Sequence, residues 1–217
     1  MTIFGGLIAV ALIAAVVLIL LNRPQGSEDV SDIAAAPPPD ANIPTNGRVM
    51  GQEGAAVHVV EWGDYQCPGC GYFTRAVKPQ LIQEYVATGK ITFEYRDFAF
   101  LGAESTRAAE AAFCAEDQGQ FWQYHDTVFL NQRGENQGAF SGARLKEMAR
   151  QVGLDMEAFN QCYDNRTHKQ DVEAMYNEAK QAGVTGTPSI TINGQLLQGW
   201  NGRWETLKAA IDQALAQ

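Results

Sequence analysis

The stretch Val57-His58-Val59-Val60-Glu61-Trp62-Gly63-Asp64-Tyr65-Gln66-Cys67-Pro68-Gly69-Cys70 decides the fold of this chain. Its first half is apolar and β-branched, which is typical of a buried strand. The run from Phe73 to Val86 that follows has a helical pattern, and residues 91–96 alternate like a second strand. We therefore predict a βαβ unit with two cysteines, two residues apart, at its strand-to-helix junction.

This position predicts a reactive thiol at Cys67. Unpaired backbone N–H groups and the positive end of the helix dipole stabilise a thiolate at a helix N-terminus. Pro68 suits the first helical position, where its missing N–H has no partner to lose. The alternatives are an inert bridge or half of a zinc site. A zinc site needs two further ligands, and the chain has no second CxxC and no His-x3-5-His.

Length and charge limit what the chain can do. With 217 residues, of which 46% are hydrophobic, it can form one domain with a substantial core, plus appendages. A net charge of -9 and a pI near 4.8 argue against nucleic acid as a partner, because the sequence has no basic stripe to neutralise phosphates.

The N-terminal residues 1–21 contain the uncharged run Ile3 to Leu21, which predicts a transmembrane anchor. A cleaved signal peptide is the alternative, but the segment before the run has no Lys or Arg, and no small-x-small cleavage site closely follows it. Residues 22–46 are rich in Pro, Ala and acidic residues, so they are interpreted as a tether.

Residues 47–217 form the predicted catalytic domain. A helical insertion is expected at about residues 102–165, because Ala-rich and aromatic helical patterns separate the first strands from the last ones. Residues 189–198 predict a hairpin around Asn193-Gly194, and a helix from Trp204 to Leu215 closes the chain. The predicted class is α/β, with a transmembrane helix in front.

Several segments, in this order, resemble the DsbA type of thioredoxin-like disulfide oxidoreductases: Glu61, Cys67-Pro68-Gly69-Cys70, residues 108–114, residues 118–126, residues 183–189 and the Asn193-Gly194 hairpin. The resemblance extends from about Gly47 to the C-terminus. It implies a thioredoxin fold interrupted by a helical domain, which agrees with the pattern of elements above.

The resemblance also implies roles for individual residues. Cys67 would be the nucleophile and Cys70 the resolving thiol, and Glu61 would be a buried acid that relays protons to Cys70. Thr187-Pro188 resembles the family's cis-proline loop, which pairs with extended clients. The alternatives are a solvated acid at Glu61 and an ordinary trans-proline turn.

Pro68 and Gly69 are also assigned to the substrate-binding surface. The dipeptide is Pro-Gly here, whereas a strong oxidant of the family has Pro-His, so the direction of electron flow depends on other features.

Cys114 and Cys162 lie near the two ends of the helical insertion. In an oxidising compartment, a structural disulfide between them would close a loop of about 48 residues and contribute roughly 3 to 4 kcal/mol. Two free buried thiols and a second redox pair are the alternatives.

We expect an enzyme that introduces disulfide bonds into reduced protein clients through a Cys67–Cys70 disulfide, with no cofactor and no metal. Its expected place is the bacterial inner membrane, as a single-pass protein with a periplasmic catalytic domain. Resemblance implies reoxidation by a membrane quinone-linked thiol oxidase of the DsbB or vitamin K epoxide reductase (VKOR) type. The alternatives are a reductase or isomerase of the same fold, and a metal-binding chaperone that uses the CPGC thiolates.

Overall fold

The computed structural model describes residues 29–217. The predicted membrane helix, residues 1–21, and the first part of the tether lie outside the described residues. Within residues 29–217, no helix has both the length and the apolar character that a membrane crossing needs. Residues 32–217 form one compact unit.

The unit is built on a six-stranded sheet in the order β1-β2-β4-β3-β5-β6. Only β3 and β4 run parallel, and the remaining neighbours are antiparallel. The strands are β1 Thr45–Asn46, β2 Val49–Met50, β3 Val57–Gly63, β4 Ile91–Asp97, β5 Ser189–Ile192 and β6 Gln195–Leu196. The predicted hairpin is present, and Asn193 and Gly194 take positive φ angles of 49° and 78° in its turn.

The crossover between β3 and β4 is a helix, α1, with α-helical and π-helical parts. Its consecutive segments are Pro68–Tyr72 (α), Phe73–Val77 (π), Lys78–Leu81 (α) and Ile82–Val86 (π). Pro79 lies just after the first π-helical turn. Because proline cannot donate the regular backbone hydrogen bond, the wider turn lets the helix continue through it.

The central strand β3 is buried on both faces. Val60 and Trp62 point to one face and pack with Phe98, Ala179 and Val184. Val59 and Glu61 point to the opposite face, beside α1. A cluster of buried apolar contacts thus covers one side, while the other side carries a buried carboxyl beneath the CPGC turn.

The helical insertion lies between β4 and β5, as expected. Its helices are α2 Ala103–Glu116, α3 Phe121–Leu130, α4 Gly142–Val152 and α5 Met156–Asp164, and it is followed by α6 Lys169–Gln181 and the C-terminal α7 Trp204–Leu215. Helix α3 packs on the sheet, because the ring of His125 lies 4.5 Å from that of Tyr95 on β4. The insertion is therefore in direct contact with the strand next to β3.

The compact unit begins earlier than Gly47, the predicted start of the domain. The end of the predicted tether packs on the insertion, where Ala34 exchanges two backbone hydrogen bonds with the Asn131 side chain, at 3.2 and 2.8 Å. The Ala36 N–H donates to the Thr127 hydroxyl at 3.0 Å. Ion pairs with two arginines neutralise Asp32, so an acidic segment can dock here. We call residues 32–36 the docked strap.

Candidate active site

The turn between β3 and α1 is held by the buried carboxylate of Asp64. This carboxylate accepts hydrogen bonds from the Gln66 backbone N–H at 2.8 Å and the Ser105 hydroxyl at 2.6 Å. It also accepts from the backbone N–H groups of Phe100 and Leu101, at 2.9 and 3.0 Å. Asp64 therefore ties the cysteine-bearing turn to the segment after β4 and to the start of α2.

Cys67 occupies the N-cap position of α1, with an extended backbone, and Pro68 follows in the first helical turn. The cysteine is 8% exposed, and its thiol donates to the Thr187 carbonyl at 3.3 Å. A hydrogen bond from Cys70 lowers the pKa of Cys67 to about 6. Hydrogen bonds with Thr187 and with the backbone N–H groups of Cys70 and Gly69 also lower this pKa. Partial burial of the thiol raises it.

Cys70, one helical turn further on, lies in the opposite environment. It is completely buried, and this burial raises the pKa of its thiol well above the usual value. Its hydrogen bond to Cys67 and the nearby Glu61 act in the same direction. At neutral pH the two cysteines therefore differ, with a thiolate at Cys67 and a thiol at Cys70.

The loop before β5 closes over the sulfur atoms. The Thr187–Pro188 peptide bond is cis, and it brings the Pro188 ring against the CPGC turn. A Cβ atom added to Gly69 would lie 2.9 Å from Pro188 Cδ and 3.5 Å from Cys67 Sγ. Because Gly69 is partly exposed and Pro68 is exposed, these two residues and the loop form the accessible rim of the site.

Glu61 lies beneath the cysteines on β3, and it is completely buried. Neither carboxyl oxygen has a hydrogen-bond partner among the described residues. Burial raises the pKa of Glu61 well above its usual range, and Lys78 is the strongest opposing influence. Burial therefore favours the uncharged carboxylic acid over the carboxylate at this position.

Sequence reasoning missed a partly buried ion pair near Glu61. The Lys78 ammonium on α1 pairs with Asp126 on α3, and the same carboxylate lies 2.8 Å from His125 Nδ1. Burial lowers the pKa of His125 to about 4, so its ring is neutral. The one available signal was a lysine within the otherwise apolar face of α1, since nothing in the sequence connects it to Asp126.

Gln132, in the loop just after α3, is a second residue that sequence reasoning missed. Its side-chain amide donates to the carbonyl oxygens of Tyr65 at 2.6 Å and of Cys67 at 3.0 Å. The helical insertion thus holds the backbone of Cys67 in place. The sequence contains no signal for this contact, because 65 residues separate Gln132 from Cys67.

The other two cysteines lie apart from this site. Cys114 on α2 and Cys162 on α5 form a disulfide, with Cα atoms 5.9 Å apart. Cys67 and Cys70 are both free thiols, so the structure represents the reduced active site.

Comparison with known proteins agrees with this geometry. Residues 44–213 match a family model described as thioredoxin. The chain is 31% identical over 170 residues to a probable disulfide bond formation protein D of Bacillus anthracis, covering 76% of this chain and 77% of the relative. It is 30% identical over 179 residues to a putative protein-disulfide oxidoreductase of Rickettsia conorii, covering 81% and 62%.

Solved structures agree as well. Oxidised BdbD of Bacillus subtilis superposes with a TM-score of 0.73 at 25% identity, covering 86% of this chain and 100% of that one. A thioredoxin-like oxidoreductase of Silicibacter pomeroyi gives 0.64 at 29% identity, covering 82% and 95%. The fold, the paired cysteines and these relatives lead to one conclusion: the chain belongs to the DsbA-type family of thioredoxin-like thiol:disulfide oxidoreductases and is an enzyme of that class.

Proposed function

We propose that the protein introduces disulfide bonds into reduced protein clients outside the cytoplasm, through a disulfide between Cys67 and Cys70. The observation that carries this proposal is the contrast between the two thiols. The pKa of Cys67 is lowered to about 6, whereas that of the buried Cys70 is raised. A thiolate that is stable in the reduced enzyme favours the reduced form, and this makes the disulfide form an oxidant.

The reaction consists of two exchanges. A client thiolate attacks Cys67 Sγ of the oxidised enzyme, the S–S bond breaks, and its electron pair goes to Cys70 Sγ, which takes up a proton. A second client thiolate then attacks the client sulfur of the mixed disulfide, and Cys67 leaves as a thiolate. The client loses two electrons, and the enzyme gains them.

Glu61 supplies the proton that Cys70 takes up. It is the buried acid next to that thiol, and burial raises its pKa, which favours the protonated form that can donate before the disulfide opens. In the reoxidation half-reaction, the ionised carboxylate takes the proton back from Cys70. Glu61 thus acts as a proton relay without contacting the client.

Client binding uses the rim of the site. The Thr187 backbone next to the cis-proline can pair with an extended client segment, and Pro68 and Gly69 line the approach to the sulfur of Cys67. Cys67 Sγ lies 3.3 Å from the Thr187 carbonyl oxygen, so a client backbone at this loop would lie beside the reacting sulfur.

We place the enzyme at the bacterial inner membrane, held by residues 1–21 as a single-pass anchor, with residues 32–217 on the periplasmic side. A membrane quinone-linked thiol oxidase of the DsbB or VKOR type would reoxidise it. The Cys114–Cys162 bond would be a structural disulfide, and such bonds persist in an oxidising compartment.

The test is the reduction potential of the Cys67–Cys70 pair, measured against glutathione and combined with oxidative refolding of a reduced test protein. A variant with Cys114 and Cys162 replaced by serine is the control, because it leaves only the active-site pair to titrate. We expect a potential well above that of thioredoxin, which is about -270 mV. A potential near that value, with insulin reduction and no refolding activity, would instead show a reductase.

A further inference from the structure

The proton relay at Glu61 needs control from its surroundings, because its carboxyl is completely buried and none of the described residues hydrogen-bonds to it. The pKa of a buried carboxyl without hydrogen-bond partners depends strongly on the charges around it, because the low dielectric of the interior screens them little. The groups near Glu61 therefore decide whether it holds a proton when Cys70 needs one.

Charged and titratable groups face Glu61 from three directions. The cysteines lie at the start of α1, and Lys78 lies further along the same helix. Tyr95 is the residue directly opposite on β4, and its hydroxyl has no hydrogen-bond partner among the described residues. Asp126 and the neutral His125 come from α3. The strand on the other side, β5, contributes the apolar Ile190. Lys78 is the only cation in this set.

Lys78 is a buried lysine whose charge acts on Glu61, although it makes no hydrogen bond to that carboxyl. Instead, it forms an ion pair with Asp126, whose side chain is 30% exposed at the edge of α3. The Lys78 nitrogen also lies 5.3 Å from the centre of the Trp122 ring, which favours a cation. The helical insertion therefore holds the ammonium on its own side.

Resting on the function proposed above, we propose that Lys78 and Asp126 are a positioning pair for proton transfer. Asp126 holds the Lys78 ammonium as its own counter-ion, so that Glu61 stays in the carboxylic-acid form that can pass a proton to Cys70. Neither residue contacts the reacting sulfur atoms. Through Asp126, the helical insertion takes part in setting the proton chemistry beneath the CPGC turn.

Two substitutions should shift the pKa of Glu61 in opposite directions. In Asp126→Asn, the ammonium remains charged over the Trp122 ring and turns to Glu61, so Glu61 should ionise about tenfold more readily. In Lys78→Met, the cation is gone while Asp126 remains, so Glu61 should ionise about tenfold less readily. Lys78→Arg keeps the cation and should behave like the unaltered protein.

The readout is the carbonyl stretch of a protonated carboxyl in infrared difference spectra, reduced minus oxidised, recorded over a pH series. Glu61→Gln identifies the band, because it removes that carboxyl. Asp164→Asn is the matched control, since it also removes the acid of an ion pair within the helical insertion, with Lys146 at 2.7 Å. We expect the control to leave the midpoint of the Glu61 band unchanged.

Opposite shifts of about one pH unit in Asp126→Asn and Lys78→Met would support the pair. Shifts in the same direction, or none, would overturn it. If Asp126→Asn does not fold, Lys78→Met decides alone: an upward shift of the Glu61 midpoint supports the pair, and an unchanged midpoint overturns it. The refolding assay tests the proposed function separately: activity with an unmoved Glu61 midpoint rejects only the positioning pair, whereas inactivity of the unaltered protein rejects the function.

Discussion

Replacing Cys67 with serine removes a group whose charge should stabilise the reduced protein. The ordinary pKa of the thiol is 9.0, and in the folded protein it is lowered to about 6. Because the folded-state value is the lower one, the stabilisation is complete above pH 9 and is lost as the pH falls through 6. At pH 7 the folded protein carries a thiolate that the unfolded chain lacks, and linkage gives a contribution of about 1 kcal/mol.

The assay compares urea unfolding of the reduced protein and of Cys67→Ser between pH 5 and pH 8. Serine is close in size and does not ionise in this range, so other titrating groups cancel in the difference. Near pH 5 the Cys67 thiol is uncharged in both the folded and the unfolded protein, so the difference between the two unfolding free energies there serves as the baseline. At pH 7 the difference should have grown by about 1 kcal/mol in favour of the unaltered protein.

Alkylation of the reduced protein with iodoacetamide checks the same ionisation directly. The rate at Cys67 should reach half its maximum near pH 6, and Cys70 should not react because it is completely buried. A midpoint near 9, together with an unfolding difference that does not change with pH, would refute the reasoning from the helix N-terminus and the hydrogen bond from Cys70.

Three further predictions concern stability, each measured by urea unfolding. Replacing both cysteines of the Cys114–Cys162 disulfide with alanine should cost about 3 to 4 kcal/mol, and an unchanged midpoint would mean that the bond is not structural. Asn131→Ala should cost about 1 to 3 kcal/mol, because the backbone of Ala34 loses both partners and the docked strap is released; a smaller cost would mean that the strap is not held there. Gly63→Ala places a Cβ 2.5 Å from the buried ring of Tyr95, so about 1 to 3 kcal/mol should be lost, whereas Gly186→Ala, with open space around it, should cost nothing; equal effects would contradict the packing.

Much of the fold was predictable because its signals are local. The apolar β-branched run before the cysteines forms β3, the Asn193-Gly194 turn forms the last hairpin, and the helix from Trp204 to Leu215 has the predicted bounds. The start of the compact unit was not predictable. Residues 22–46 are rich in proline, alanine and acidic residues, a composition that indicates a tether. The ion pairs of Asp32 with arginines of the insertion show that part of this segment docks.

The sequence by itself predicted a stabilised thiolate at Cys67, because a CxxC pair between a strand and a helix puts its first sulfur at a helix N-terminus, and the structure has Cys67 at that position. The tertiary structure alone decided what lies around that sulfur. The insertion places Gln132 on the carbonyl of Cys67 and Asp126 on Lys78, 65 and 48 residues away along the chain. Such contacts depend on how helices and strands pack, and local sequence patterns carry no record of packing between distant segments.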